Sequence, residues 1–296
     1  MISYVKRYFE LPPEEIDFMS DWPGTSVRNT FKQALSNCQR QVGLWSGLCS
    51  NIAAEIIAGA GFDWIVLDGE HAPNDIASVL AQLQAMRGGT AEPVFRIPWN
   101  DSVVIKRVLD IGARSLIIPF IQSAEEARVA VAATRYPPLG IRGVSVAPRA
   151  NDYGRIRNYH RNAHLDTCVL VQLESRAALK EVEAIAAVDG VNGIFIGSSD
   201  LAADFGHLGN PMHTEVQTAI KETADRIRAA GKSAGTLTTD ADDVDRLFGL
   251  GFNFIAIGSD VGILARGAER LAARFRTNGD ETNEALHSKG VEASQR

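Results

Sequence analysis

The chain has 296 residues, 45% of them hydrophobic and 22% charged, with a formal net charge of −6 and acids and bases interspersed. This is ordinary for a soluble globular protein, and it lacks both a basic block that would grip nucleic acid and an apolar run near the roughly 20 residues of a bilayer span. Three cysteines (Cys38, Cys49, Cys168) without metal-ligand spacing, and residues 1–10 without an apolar signal core, lead us to expect reduced thiols in a cytoplasmic protein with neither nucleic-acid nor membrane partners.

Residues 1–26 read as an extension, because Leu11-Pro12-Pro13 and Trp22-Pro23-Gly24 break regular structure. Its aromatics, Tyr4, Tyr8, Phe9, Phe18 and Trp22, argue for packing on a neighbouring surface. A short helix is expected over 31–35. From Gln41 a strand-then-helix beat repeats about every 25 to 35 residues. The expected strands are 42–45, 64–67, 93–97, 115–119, 169–173, 193–196, 233–237 and 254–257. Amphipathic helical patterns lie between them at 51–60, 74–86, 101–111, 124–134, 175–187, 213–229, 242–250 and 263–275. Asn51, Asp101, Ser123, Ser175 and Asp240 are suitable N-caps, and Gly61, Gly112 and Gly231 stand where helices end. Eight such units predict an α/β (β/α)₈ TIM barrel over 27–276, with a doubly wound open sheet as the competing architecture.

Two stretches break the beat. Residues 137–164 form a long insertion that carries Arg142, Arg149, Arg155, Arg157 and Arg161, and loops of that length are more often functional than idle. Residues 277–296 are poor in large apolar side chains and are expected to be a disordered tail.

The most informative stretch is 63–75, Asp-Trp-Ile-Val-Leu-Asp-Gly-Glu-His-Ala-Pro-Asn-Asp. An apolar run suited to a strand buried on both faces ends abruptly in Asp68, Glu70 and His71. Enzymes built on parallel strands place their chemistry at the strands' C-terminal ends. The bland reading makes Asp68 and Glu70 caps of the next helix and His71 a surface histidine.

If the barrel forms, other strand ends converge on the same face. The third contributes Arg96, the fourth Pro119 and Gln122, and the fifth Gln172 and Glu174. The sixth ends in Gly197-Ser198-Ser199-Asp200, the seventh supplies Thr236 and Thr238, and the eighth ends in Gly258-Ser259-Asp260. Glu174 and Asp200 lie one βα unit apart, and two carboxylates together with substrate oxygens suit Mg²⁺, Mn²⁺ or Co²⁺. Read singly, each is also a neighbour of a helix cap. Of the six histidines (71, 160, 164, 207, 213 and 287), only His71 falls on a strand end, against a histidine-rich zinc hydrolase centre. None of the lysines (6, 32, 106, 180, 221, 232 and 289) falls on a strand's C-terminal end, so a Schiff-base mechanism has no candidate. No Gly-x-Gly-x-x-Gly follows a strand, so a nucleotide cofactor is not indicated.

Several separate blocks resemble the metal-dependent 2-keto-acid aldolases of the HpcH/HpaI type. They are Gly43-Leu44-Trp45, residues 58–64 (Ala-Gly-Ala-Gly-Phe-Asp-Trp), residues 68–75 (Asp-Gly-Glu-His-Ala-Pro-Asn-Asp), residues 96–101 (Arg-Ile-Pro-Trp-Asn-Asp), residues 135–143 (Arg-Tyr-Pro-Pro-Leu-Gly-Ile-Arg-Gly) and Gly258-Ser259-Asp260. The resemblance runs from about Asn29 to Phe275. It implies a barrel of the phosphoenolpyruvate/pyruvate type, and a carbon–carbon lyase that reversibly cleaves 4-hydroxy-2-keto acids to pyruvate and an aldehyde. It implies a divalent-metal cofactor on Glu174 and Asp200, and a catalytic set of His71, Arg96 and Asp110, with Asp110 reaching His71 from a neighbouring subunit. Trp45, Gln172, Gly197, Ser198, Ser199 and Leu237 become the substrate-binding set, with Asp68 and Glu70 in support. It also implies a homohexamer, a dimer of trimers, whose partners are small keto acids and aldehydes. The sequence departs from the family in having Gly197-Ser198 where relatives often have Gly-Pro, and in a longer N-terminal extension.

The residue chemistry suits this expectation. An ever-charged arginine stabilises a developing enolate oxygen, and an imidazole moves protons in both directions of a reversible aldol step. The rivals are an acyl-CoA or other lyase on the same kind of barrel, kept open by the arginines of 142–161, and a non-enzymatic barrel. The intact carboxylate pair speaks against the latter.

Overall fold

The computed structural model describes residues 29–293, with side chains described through residue 276. The expected extension over 1–26 lies outside the described residues, as do the side chains on which the expectation of a disordered tail over 277–296 depends. Within them, β1 (Gln41–Ser46), β2 (Trp64–Asp68), β3 (Glu92–Arg96), β4 (Ser115–Ile118), β5 (Cys168–Leu173), β6 (Val191–Ile196), β7 (Ser233–Thr238) and β8 (Phe254–Ser259) close into a barrel. Every neighbouring pair is parallel, and β8 pairs back onto β1. The doubly wound alternative is therefore excluded. β2, β4 and β5 are buried along their whole length, as their apolar runs require of strands covered on both faces.

Large aromatics fill the barrel interior, and glycines make room for them. Trp64 and Phe254 pack edge to face at 5.8 Å between ring centroids, inside a shell of Val66, Val94, Ile117, Leu170 and Phe195. A Cβ on Gly43 would collide with the Trp64 indole, and one on Gly235 with the Phe254 ring. The short helix Thr30–Ser36 closes the N-terminal end of the barrel. Phe31 stacks on Trp64 at 5.4 Å, and Asn29 both caps the helix and donates to Ser115 Oγ at 2.8 Å. A second apolar core lies between the strands and the outer helices.

Local departures from the expected elements have simple causes. Ser50, not Asn51, caps the helix Asn51–Ala58, because Ser50 Oγ reaches the Ala53 amide. The helix expected over 175–187 is two short pieces, Arg176–Lys180 and Val182–Ala186. The pattern at 242–250 opens as a 3₁₀ turn capped by Asp240 and continues as Val244–Gly249. A helix at Ser198–Asp204 follows β6, and the last helix is Asp260–Ala293 rather than 263–275.

The insertion at 137–164 is not a bare loop. It contains a 3₁₀ turn, Arg149–Asn151, and a helix, Tyr159–Asp166, preceded by Asn158 in the left-handed region. Arg142 is fully buried, donates to Asp110 Oδ1 at 2.7 Å and lies 4.5 Å from the Tyr136 ring centroid. Arg149 donates to the Ile111 carbonyl at 2.6 Å. Both anchors precede β4, so the insertion packs at the N-terminal end of the barrel, opposite the strand ends that carry the carboxylates. Among the described residues, no helix is long and apolar enough to cross a membrane.

Candidate active site

Asp68 is the last residue of β2 and is buried, so its carboxylate needs partners. Arg96, the last residue of β3, supplies them bidentately. Its Nε donates to Asp68 Oδ1 at 2.8 Å and its Nη2 to Oδ2 at 2.7 Å. The two residues are direct partners in the parallel ladder, which places fork and carboxylate side by side. Trp45 on β1 donates its indole N–H to Asp68 Oδ2 at 3.1 Å, and the Arg96 guanidinium lies 4.7 Å from the Trp45 ring centroid. Burial works to raise the Asp68 carboxyl, but the hydrogen bonds and charge of Arg96 outweigh it and hold the group below the ordinary carboxylate range.

Glu70 and His71 follow in the turn after β2. Gly69 is required there, since a Cβ would stand 2.5 Å from Phe95 Cζ and 2.8 Å from the Arg96 carbonyl oxygen. The Glu70 and His71 amides both donate to Asp68 Oδ1, so Asp68 folds its own loop as well as anchoring Arg96. Glu70 Oε2 lies 2.8 Å from Arg96 Nη1 without hydrogen-bond alignment. Burial raises the Glu70 carboxyl above its usual value against the attraction of Arg96 and His71, and the charges of Asp68 and Asp200 push the same way as burial. The His71 side chain is 65% exposed, and its Nε2 is 3.9 Å from Glu70 Oε2. His71 is therefore not packed in the core of this chain, and its ring stands at the surface of the rim.

Glu174 directly follows β5 and is buried. Its Oε2 accepts from the Phe120 amide at 2.9 Å, and its Oε1 accepts from the Gln172 side-chain amide. Burial, reinforced by the negative charges of Glu70 and Asp200, pushes its carboxyl up to about 7 despite the Gln172 and Phe120 bonds. Asp200 stands in the first turn of the Ser198–Asp204 helix, exposed. Gly197 separates the two strand ends. A Cβ there would lie 2.7 Å from Glu174 Cγ and 2.8 Å from its Oε1.

The donor chemistry at this rim suits a divalent cation. Three carboxylates of the rim, Glu70, Glu174 and Asp200, feel one another's charge, and Gln172 Oε1 is buried without a hydrogen-bond partner. An all-oxygen donor set of this kind matches Mg²⁺, Mn²⁺ or Co²⁺ better than a nitrogen- or sulfur-seeking ion.

Of the residues singled out from sequence, Trp45, Asp68, Glu70, Arg96, Gln172, Glu174, Gly197 and Asp200 are joined by direct contact or by charge. Leu237 packs on the inner aromatic cluster that includes Trp45 and Phe195. Ser198 and Ser199 open a helix with no side-chain cap. The Gly197 amide is already used by the Leu173 carbonyl at 3.1 Å, so an anion there would meet the amides of Ser198 and Ser199 instead. Asp110 is apart from the others. It ends the helix Ser102–Asp110, near the N-terminal end of the barrel, and holds Arg142. Asp260 serves architecture, accepting from Ser46 Oγ and the Gly47 amide at 2.8 Å each to tie β8 to the loop after β1.

Two participants escaped the sequence reading. Phe120 adopts φ 55°, which is costly for a residue with a side chain, and that backbone aims its amide at Glu174. Nothing in its residue type signals this. Asn74 donates to the Asp68 carbonyl at 2.7 Å while its Oδ1 accepts from Ser78 and Gln82, bracing the turn. Its place between Pro73 and Asp75, the cap of the helix Ile76–Ala85, was a usable hint.

Comparison with known proteins places the chain among relatives. Residues 41–267 match the family model described as HpcH/HpaI aldolase/citrate lyase. The chain is 52% identical over 259 residues to a 4-hydroxy-2-oxo-heptane-1,7-dioate aldolase of Klebsiella pneumoniae subsp. pneumoniae, covering 87% of this chain and 98% of that protein. An enzyme of the same name from Salmonella heidelberg is 53% identical over 250 residues, 84% of this chain and 95% of its own. A solved HpcH/HpaI aldolase/citrate lyase family protein from Burkholderia cenocepacia superposes with a TM-score of 0.81 at 38% identity, covering 84% of this chain and 99% of its own. With the matched family model spanning the barrel, and relatives of this identity spanning nearly their whole length, the chain belongs to the HpcH/HpaI aldolase/citrate lyase family.

Proposed function

We propose that this aldolase is a class II, metal-dependent enzyme that reversibly cleaves 4-hydroxy-2-keto acids to pyruvate and an aldehyde, with a substrate like that named for its relatives, 4-hydroxy-2-oxo-heptane-1,7-dioate. What supports the reading is that Glu174, buried directly after β5, feels the charges of Glu70 and Asp200, while Glu70 lies 2.8 Å from the Arg96 that Asp68 holds. Glu174 and Asp200 would hold Mg²⁺, Mn²⁺ or Co²⁺, and the bound ion would supply Lewis acidity toward the keto and carboxylate oxygens of pyruvate.

The remaining chemistry belongs to side chains of this chain. Asp68 and Trp45 fix the plane of Arg96, whose guanidinium has five N–H donors; those on Nη1, 2.8 Å from Glu70 Oε2 but not aligned to it, are the ones left for the developing enolate oxygen. The Ser198 and Ser199 amides, at an uncapped helix start, receive the pyruvate carboxylate. His71, exposed on the rim, takes the proton of the 4-hydroxyl during cleavage and returns it during addition. Asp110 orients that histidine from a neighbouring subunit in a homohexamer located in the cytoplasm. The acyl-CoA reading loses its support, because Arg142 and Arg149 are committed to internal partners at the far end of the barrel.

The deciding experiment follows proton–deuterium exchange at the methyl group of pyruvate with and without a chelator. Exchange that stops on chelation and returns with Mg²⁺, Mn²⁺ or Co²⁺ is the expected result. Undiminished exchange in the chelated enzyme would overturn the reading.

A further inference from the structure

A second cluster of metal-ligating side chains stands on the loop that follows the Ser198–Asp204 helix. His207, His213 and Glu215 place one ligand atom each within 4.8 Å of one another. His207 Nε2 and Glu215 Oε2 are hydrogen-bonded at 2.9 Å, and the two imidazoles stack with centroids 3.5 Å apart and planes 19° from parallel. That hydrogen bond uses one ring and one carboxylate oxygen, whereas a shared cation would use both rings. Tetrahedral coordination with metal–nitrogen distances of roughly 2.0–2.1 Å separates ligand atoms by about 3.3 Å, so ligation requires the stacked rings to turn until one nitrogen of each faces the shared ion.

The backbone holds the ligands in place. The His207 amide donates to the Ala202 carbonyl at 2.7 Å, Asn210 donates back to the His207 carbonyl at 2.9 Å, and the His213 amide donates to the Asn210 carbonyl at 3.1 Å. Gly206 and Gly209, at φ 83° and 78°, make the turns that return the loop on itself. His213 Nδ1 accepts from the Glu215 amide at 3.3 Å as a cap of the helix Thr214–Ala229, a bond the ring gives up when it ligates an ion. A cation also stands behind the carboxylate. Arg176 Nη2 lies 3.9 Å from Glu215 Oε1, the oxygen not used by His207, and the Arg176 guanidinium is itself seated 4.2 Å from the Phe205 ring centroid.

We propose that His207, His213 and Glu215 form a second cation site, separate in residues and in chemistry from Glu174 and Asp200. Two imidazole nitrogens and one carboxylate oxygen, open to water at the fourth position, select Zn²⁺ or a similar borderline ion over Mg²⁺. The site clips the loop 205–213 to the following helix, and this role does not depend on the aldolase reading.

The test uses the full chain in the Glu174→Gln background, which removes the oxygen-rich site, and Zn²⁺ alone as probe in excess Mg²⁺. Equilibrium dialysis with elemental analysis should find about one tightly held Zn²⁺ per chain. Adding His207→Ala or Glu215→Gln should weaken that uptake by more than about tenfold, since a ligand is lost rather than an outer partner. Zn²⁺ should also raise the melting temperature of the parent and not of these variants, because binding to the folded state alone stabilises it. Glu215→Gln keeps the shape of the side chain, so its loss of zinc cannot be put down to misfolding. Equal Zn²⁺ uptake by the parent and both variants would overturn the proposal.

Discussion

The carboxylate of Glu174 is the group on which the proposed chemistry is most exposed to test. Glu174→Gln and Asp200→Asn should each abolish binding at the oxygen-rich site and aldol turnover while leaving the melting temperature nearly unchanged, because the packing of the barrel is untouched. Calorimetric titration with Mn²⁺ and a cleavage assay decide it, and full turnover in either variant would end the metal assignment. His71 predicts a different pattern. His71→Ala should slow cleavage by about 10²- to 10⁴-fold, the range for a positioned acid–base, with metal affinity retained. Pyruvate methyl exchange should fall much less, since the proton at issue is that of the 4-hydroxyl. A side chain 65% exposed has little packing to lose, so a large drop in melting temperature would point to a structural role instead. Gly197 supplies a third case. In Gly197→Ala the new methyl would crowd Glu174 Oε1, 2.8 Å away, and metal affinity should drop by about 10- to 100-fold, as when a ligand's support is disturbed.

At the level of elements, the helix Thr30–Ser36 is where packing and sequence meet most directly. Phe31 is 1% exposed and touches both Trp64 and Phe254, the aromatics that fill the barrel floor. Phe31→Ala should cost roughly 3–5 kcal/mol, the usual range for emptying a buried aromatic site. A lowered denaturation midpoint with an unchanged m-value is the expected readout. Catalysis at the opposite end of the barrel should survive under native conditions. A loss below about 1 kcal/mol would mean that the helix is an ornament on a barrel already closed without it.

For the molecule as a whole, exposed apolar side chains gather on two elements of the surface. Ile263, Leu264, Leu271 and Phe275 recur along the last helix at 59, 60, 61 and 66% exposure. On the insertion, Ile141, Val144 and Val146 are 64, 64 and 81% exposed. Exposed apolar side chains clustered in this way are what a protein contact would cover. The hexamer proposed above predicts a mass near six chains by light scattering. It also predicts that Leu271→Glu together with Phe275→Glu lowers that mass. A monomer at working concentration would refute it, and with it the route by which Asp110 reaches His71.

Much of this was legible in the chain itself. The alternation of buried strands and amphipathic helices is a local property of side-chain hydrophobicity, so eight units and their order could be counted without coordinates. The carboxylates at 68, 70, 174 and 200 were legible because each ends a strand or opens the segment after it, and parallel strands bring such ends together by necessity. Other features depend on contacts between residues far apart in sequence. Only the closed barrel shows that Gly43 and Gly235 exist to admit Trp64 and Phe254, or that Phe31 plugs the floor. The insertion's arginines read as candidate ligand groups, yet Arg142 is buried against Asp110, a pairing across 32 positions that no local pattern encodes. Likewise, His207 and His213 are ordinary surface histidines in sequence, and only the turns at Gly206 and Gly209 stack their rings beside Glu215. Periodicity is written residue by residue, whereas side-chain partnership depends on how the chain returns upon itself, and that is settled only by the folded backbone.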